Sequence, residues 1–344
     1  MCLSALVRLL ANTVRQASLR TEQDLSIYAI TGGAGFIGSH LADALLGAGY
    51  GVRILDDFST GRIDNVDKRC EVIRGDVCDP AVVRRALLGV SGCFHLAAIA
   101  SVARGNEDWI GTHRVNLGGT VNVLDAARRL GGVPVVYASS AAVYGRVEGV
   151  ADERALASPL TAYGADKRGC ELHARAGSLV HGVPSLGFRF FNVYGPRQDP
   201  DSPYSGVISI FSKAIAEGRS IKIFGTGEQT RDFIFVGDIV AFLLAGMNAL
   251  RDGRDGPEWA GGLVLNACTG RETSVLEMAG VIGDLLGCTP SMERGPARPG
   301  DIGRSVGSPD LAAALLGLSA RTPLRDGLAA TLAGLRGQTS LMPA

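Results

Sequence analysis

The chain has 344 residues, 46% of them apolar, with 34 basic side chains against 34 acidic ones, enough to bury one large core or two unequal ones. With no long run of either charge it lacks the footprint of a nucleic-acid binder or a polybasic membrane anchor. Its 47 scattered glycines have no period, which excludes collagen-like and low-complexity classes.

Residues 1–25 are expected to be an N-terminal extension, disordered or loosely packed: the first 21 carry Arg8, Arg15 and Arg20 and no acid. No segment approaches ~18 uninterrupted apolar residues, so no membrane span is expected. From residue 27, short β-branched runs alternate with amphipathic helical patterns. IYAIT (27–31) reads as a buried strand and 36–48 as a helix with Phe36, Ile37, Leu41, Ala44, Leu45 and Ala48 on one side. Strands GVRILD (51–56) and EVIRG (71–75), helix PAVVRRALLG (80–89) and strand GCFHLA (92–97) follow. Then come a long helix around 112–130, strand VPVVYASS (133–140), a helix over 161–181 and strand VPSLGFRF (183–190). Continuous apolar strands separated by helices predict a parallel sheet covered on both faces, a doubly wound, Rossmann-like α/β fold over 26–190.

After residue 191 the rhythm breaks into Pro, Gly and Asp-rich loop and shorter elements. Residues 191–344 are expected to form mainly a smaller substrate-binding lobe, with segments free to return to the sheet. Seven dispersed cysteines with no Cys-x-x-Cys and no Cys/His cluster suit reduced thiols in a cytoplasmic protein, not a disulfide framework or metal site.

TGGAGFIG (31–38) joins the first strand to the first helix, with Gly32, Gly35 and Gly38 at three-residue spacing. Glycines there permit a tight turn and let a pyrophosphate approach backbone N–H groups at a helix N-terminus. Asp56 ends the second strand eighteen residues after Gly38; a carboxylate there suits the ribose hydroxyls of NAD and repels the 2′-phosphate of NADP. Asp76 and Val77 follow the third strand, at the adenine or as a simple turn cap. Further on, TAYGADK (161–167) puts Tyr163 and Lys167 on one helix face, one turn apart. By spacing alone the pair is either a surface pair or a tyrosine served by an ammonium.

These motifs, with LDDFSTG (55–61), GDV (75–77), HLAA (95–98), SSAAVYG (139–145) and RFFNVYGPRQDP (189–200), together resemble the extended short-chain dehydrogenase/reductase family over about residues 27–330. Within it the chain resembles the UDP-sugar 4-epimerases, and among these the UDP-N-acetylglucosamine subgroup. The resemblance implies NAD as cofactor, contacted by Gly32, Gly35, Phe36, Ile37, Gly38, Asp56, Asp57, Ser59, Thr60, Gly61, Asp76, Val77, Leu96, Ala97, Ala98, Asn116, Tyr163, Lys167 and Phe190. It makes Tyr163 the acid/base, Lys167 the ammonium that favours its phenolate, and Ser140 the third catalytic member, bonding the C4 oxygen. A free tyrosine is a poor base at neutral pH, so such help is what proton transfer needs. The implied reaction oxidises C4, turns the 4-keto sugar about its phosphate linkage and reduces it on the other face.

Family dehydratases carry Thr-Asp-Glu where this chain has Ser140, Ala141 and Ala142, and the decarboxylases need a glutamate at the position of Ala142. The missing carboxyls argue against both chemistries. By the same resemblance the UDP-sugar meets Ser101, Ser139, Ser140, Ala141, Tyr163, Asn192, Val207, Ile223, Arg231, Arg298, Asp301 and Ser305. Arginines suit a diphosphate through forked, charge-assisted bonds. Ser305 stands at the family's gate beside the sugar's 2-substituent, where a small residue leaves room for N-acetyl. A UDP-hexuronic acid is the competing substrate, its carboxylate met by Arg298 or Lys222. Another NAD-dependent nucleotide-sugar enzyme is the competing activity; intact Ser140, Tyr163 and Lys167 argue against a non-catalytic NAD sensor. The family also implies a homodimer built on the helices near 112–130 and 161–181.

Overall fold

A computed structural model of the chain describes residues 26–201, 206–253, 259, 261–297 and 302–339. Its centre is a seven-stranded, all-parallel sheet: β1 (Ile27–Thr31), β2 (Gly51–Asp56), β3 (Glu71–Arg74), β4 (Gly92–His95), β5 (Val135–Ser140), β6 (Ser185–Phe190) and β7 (Leu263–Ala267). The order is β7-β6-β5-β4-β1-β2-β3, so chain direction across the sheet reverses between β1 and β4. That reversal opens the crevice at the carboxyl edge where such sheets take ligands. The first six strands are those expected from the apolar runs. β7 arrives from beyond residue 191 and pairs with β6, Leu263 against Leu186 and Ala267 against Phe190.

Successive strand residues face opposite layers. One face sets Ile30, Ile54, Phe94, Val136 and Phe188 against α1 (Phe36–Gly47) and a later helix, Val236–Arg251, through Leu41, Leu45, Phe242 and Leu243. The other sets Ala29, Leu55, Cys93, Val135 and Tyr137 against α2 (Pro80–Leu87), α3 (Gly119–Arg129) and α4 (Ala162–His181). Their ends are chemically marked. Asp79 accepts the Ala81 and Val82 N–H groups ahead of α2, Thr161 caps Gly164 at the start of α4, and Gly182 ends α4 at φ +65°.

The long helix expected near 112–130 is a composite. Trp109–His113 is α-helical, Arg114–Gly118 is one wide π turn, and α3 continues. The turn leaves the Asn116 carbonyl to side chains: Thr120 Oγ1 donates to it at 2.6 Å and Cys170 Sγ at 3.3 Å. Such insertions have identifiable polar partners and recur at functional sites.

Beyond the sheet, Ile221–Phe224 pairs with Met292–Gly295, Asn192–Tyr194 with Phe233–Phe235, and Thr230–Arg231 lies between Thr273–Ser274 and Arg304–Ser305. These pack with Val207–Ala216 and Val275–Leu286 around Ile208, Phe211, Ile221, Met278 and Ile282. The expected extension 1–25 and the expected substrate contacts Arg298 and Asp301 lie outside the described residues. Among the described residues no helix is long and apolar enough to cross a membrane, and no group of His, Cys, Asp or Glu could hold a metal.

Candidate active site

The glycine turn is a cradle that side chains would close. Gly32 has φ +73°, and a Cβ there would stand 2.7 Å from the Ala97 nitrogen. A Cβ on Gly38 would overlap the Gly32 carbonyl oxygen and approach Gly33 Cα to 2.8 Å. α1 thus begins directly on the turn, and no side chain caps its N-terminus, which leaves an N–H-rich, positive end facing the crevice. Phe36 and Ile37 form its first turn. Asp56 is buried, and its two oxygens accept the Ala34 and Phe58 N–H groups, each at 2.9 Å. Burial raises its carboxyl above the ordinary value, opposed by those two bonds. A Cβ on Gly61 would sit 2.7 Å from Asp56 Oδ1, so glycine keeps that acid reachable. Asp57 accepts from the Ser59 N–H and hydroxyl in an exposed turn leading to Thr60. Asp76 does cap its own turn, accepting the Cys78 N–H at 2.8 Å, and Val77 is buried against α3.

On the other side of the crevice the Leu96 and Ala97 N–H groups bond to Thr31, with Ala98 next in the same loop. Asn116, expected at the cofactor, is tied to this loop. Its amide accepts the Ile99 N–H at 2.8 Å and donates to the Ile99 carbonyl at 3.2 Å, so the side chain shapes the 97–101 loop. Ser101 caps the helix Val102–Glu107. Beneath this loop His95 is sealed between Thr31 Oγ1 (2.7 Å, on Nδ1) and Thr120 Oγ1 (3.0 Å, on Nε2). Because the Thr120 hydroxyl donates to Asn116, Nε2 must be the protonated nitrogen and Nδ1 the acceptor. Burial, then the Lys167 charge, pushes its pKa down to about 3. The unfolded chain protonates this histidine near 6.5 and the folded chain does not, so its stability is full above that pH and declines as pH falls towards about 3. Melts between pH 7 and 5 should lose about 1.4 kcal/mol per unit below 6.5 from this group, and His95→Gln should flatten that slope. An unchanged slope would remove His95 as its source.

At the end of β5, Ser140, Tyr163 and Lys167 come together. Lys167 is 4% exposed; its Nζ donates to the Ala138 carbonyl at 2.8 Å and lies 5.9 Å from the Tyr163 ring centroid. A Cβ on Gly164 would be 2.6 Å from the Ala142 carbonyl oxygen, so the first turn of α4 rests directly on residues 141–143. Ser140 Oγ accepts the Ala142 N–H at 3.1 Å, which leaves its hydroxyl proton to donate to a ligand. Ala141 and Ala142 put no carboxyl here. Ser139, its neighbour, faces the opposite layer and donates to Glu171 at 2.7 Å; its side chain belongs to the buried side of the strand and not, as expected, to the sugar. Phe190, at the end of β6, is largely buried in the sheet's core.

Of the remaining expected contacts, Ser305 and Asn192 lie beside Arg231 and Asp232. Ser305 stands opposite Arg231 in parallel register, and the Ser305 carbonyl accepts the Asp232 N–H at 2.9 Å. Asn192 donates its amide to the Asp232 carbonyl at 3.2 Å. Val207 starts its helix at the edge of the lobe core. Ile223 is a correction: 1% exposed, it fills that core because alternate residues of its short strand turn inward.

A model of the NAD dependent epimerase/dehydratase family matches residues 28–260. The chain belongs to that family. A UDP-glucose 4-epimerase of Mycolicibacterium smegmatis is 37% identical over 319 residues, 90% of this chain and 98% of the relative. A solved UDP-N-acetylglucosamine 4-epimerase from Methanobrevibacter ruminantium M1, in complex with UDP-N-acetylmuramic acid, is 30% identical with a TM-score of 0.84. The match covers 91% of this chain and 99% of that one. UDP-glucuronic acid 4-epimerase from Bacillus cereus, with UDP-glucuronic acid and NAD, is 27% identical with a TM-score of 0.81 over 91% and 99%.

The cofactor of this epimerase-family chain is NAD, and its residues fit that group. The space a Cβ would fill at Gly32 and Gly38 suits a pyrophosphate, and the Asp56 carboxylate, bordered by Gly61 with no side chain over it, suits a ribose diol. Sequence reasoning missed Asp232, fully buried, which accepts from the Thr269 N–H (2.8 Å), the Thr269 hydroxyl (2.7 Å) and the Gly270 N–H (2.9 Å). It anchors the strand end carrying Arg231. The only signal for it was its place beside that arginine in RDF (231–233).

Proposed function

We propose that this protein is a UDP-sugar 4-epimerase, preferring UDP-GlcNAc and UDP-GalNAc and accepting UDP-Glc and UDP-Gal. The observation that carries this reading is Tyr163 with Lys167 and Ser140 at the end of β5, beside a turn holding Ala141 and Ala142 where other chemistries require carboxyls. Bound NAD supplies the hydride acceptor and donor at C4. Tyr163 takes the proton of the C4 hydroxyl and returns it to the same oxygen once the sugar has turned to present the other face of C4; the Lys167 ammonium stands beside its ring, and Ser140 donates to the C4 oxygen. Asn192 and Arg231, with Arg298 and Asp301, hold the uridine diphosphate side, so that the sugar can turn while its handle stays fixed.

Preference for the N-acetyl sugar rests on Ser305, a small residue beside Arg231. Purified enzyme given UDP-GlcNAc, UDP-Glc and UDP-GlcA separately should interconvert the first fastest, without added NAD. Ser305→Tyr should lower kcat/KM for UDP-GlcNAc at least tenfold more than for UDP-Glc. Faster turnover of UDP-Glc by the parent would sink the gate argument, and faster turnover of UDP-GlcA would favour the hexuronic reading. Net ketone reduction with stoichiometric NAD use would instead favour a reductase.

The apolar side chains Trp109, Ile110, Leu172, Leu179 and Val180 are exposed on the helices of the composite and of α4. They suit a second copy of the chain, and the reading includes a homodimer, which a sedimentation mass of one chain would exclude. Six free cysteines in the described residues accord with work in a reducing cytoplasm.

A further inference from the structure

Below the catalytic edge lies a buried charged network that the proposed chemistry does not use. Glu171 sits on α4 one turn beyond Lys167, and its side chain and that of Arg189 on β6 are 1% and 4% exposed. Arg189 grips it with two bonds, Nε to Oε1 at 2.8 Å and Nη2 to Oε2 at 2.9 Å. Ser139 Oγ donates to Oε1 and Arg168 Nη1 to Oε2, each at 2.7 Å. On its other side the Arg189 guanidinium lies 4.6 Å from the Tyr144 ring centroid. The Tyr144 hydroxyl donates to Asn266 Oδ1 at 2.6 Å. Asn266, fully buried on β7, donates its amide to the carbonyls of Ala151 at 2.9 Å and Ser308 at 3.2 Å.

Both ends of this chain of bonds reach the site. Ser139 precedes Ser140. Ser308 lies three residues from Ser305 on a segment bound to Ala151 through the Ala151 N–H to Val306 and the Ser308 N–H to Ala151. The catalytic helix is also clipped to β5 twice in succession, Lys167 on the Ala138 carbonyl and Glu171 on the Ser139 hydroxyl. Stability alone does not call for such a pair, since apolar residues of similar volume often replace buried ion pairs without loss. What a fully bonded, forked pair adds is geometry. Geometry matters to turnover because a misplacement of about 1 Å arising far from the chemistry can cost ~100-fold.

We propose that Glu171, Arg189, Tyr144 and Asn266 are positioning residues that hold Ser140 and Tyr163 in register with segment 305–308, so that C4 of the sugar meets the base at working distance. This rests on the epimerase reading above. Glu171→Ala alone would strand the Arg189 charge and endanger the fold, so the test uses Glu171→Met with Arg189→Met, and Tyr144→Phe, which keeps the ring and loses only the hydroxyl. Both should keep the melting temperature near the parent's and keep NAD content and KM within twofold, while kcat falls about tenfold or more. Glu171→Gln, which still accepts the Ser139 hydroxyl, should retain more of kcat than the methionine pair. A parent inactive on every UDP-sugar overturns the epimerase reading and this role with it. An active parent whose variants keep its kcat, or lose it only together with NAD, KM or the fold, overturns the positioning role alone.

Discussion

Tyr163→Phe should leave the fold and NAD content unchanged and lower kcat about 10³-fold. Proton transfer by a positioned side chain contributes roughly 10²–10⁴-fold, and the neighbouring turn offers no carboxyl in its place, because it carries Ala141 and Ala142. Removing one hydroxyl from a half-buried ring creates no cavity, and the Lys167 anchor to the Ala138 carbonyl does not involve it. Lys167 therefore stays where it is, and the loss should fall on kcat and not on binding. Epimer formation followed by chromatography, with UDP binding measured by calorimetry, separates the two. A rate within tenfold of the parent would take Tyr163 out of the mechanism.

Gly38→Ala should cost the protein its cofactor. Two effects compete at this position. Alanine is the better helix former by about 1 kcal/mol, which by itself would stabilise α1. Against this, its Cβ would overlap the Gly32 carbonyl and come 2.8 Å from Gly33 Cα. Those are backbone atoms of a turn already committed to φ +73°, so they have no rotamer to yield. Overpacking of this kind typically costs about 1–3 kcal/mol, and relief by shifting the turn opens the cradle. The steric effect wins: the melting temperature should fall and NAD affinity should drop at least 100-fold. Purified Gly38→Ala enzyme with full NAD content would refute the cradle argument.

Much of this was legible in the sequence because the signals are local. Six of the seven sheet strands are continuous apolar runs whose period needs no partner to be read. Tyr163 and Lys167 face one way because helical spacing makes them do so. The glycine turn and Asp56 are fixed by close approach and by strand length. Ser139 and Ile223 were misjudged because their facing depends on neighbours: one residue along a strand turns the side chain to the other layer. The bonds of the Asn116 amide to Ile99 were likewise not legible, because they span 17 residues and nothing in the local pattern marks the π turn that carries Asn116.

By itself the sequence determined the parallel α/β class, the glycine turn and the shared helix face of Tyr163 and Lys167, since each is a short-range pattern; the roles proposed for Ser140, Tyr163 and Lys167 came from the family resemblance and not from spacing. Tertiary structure alone decided the return of Leu263–Ala267 to the sheet, the pairing of Ser305 with Arg231, and the sealing of Glu171 against Arg189. Glu171 and Arg189 are 18 residues apart, Tyr144 and Asn266 are 122 apart, and their bonds exist only because α4 packs on β6 and the turn after β5 packs on β7, which brings them within 3 Å. Residue type states what a side chain can do; which partner it meets across such a separation is settled by the packing of the whole sheet.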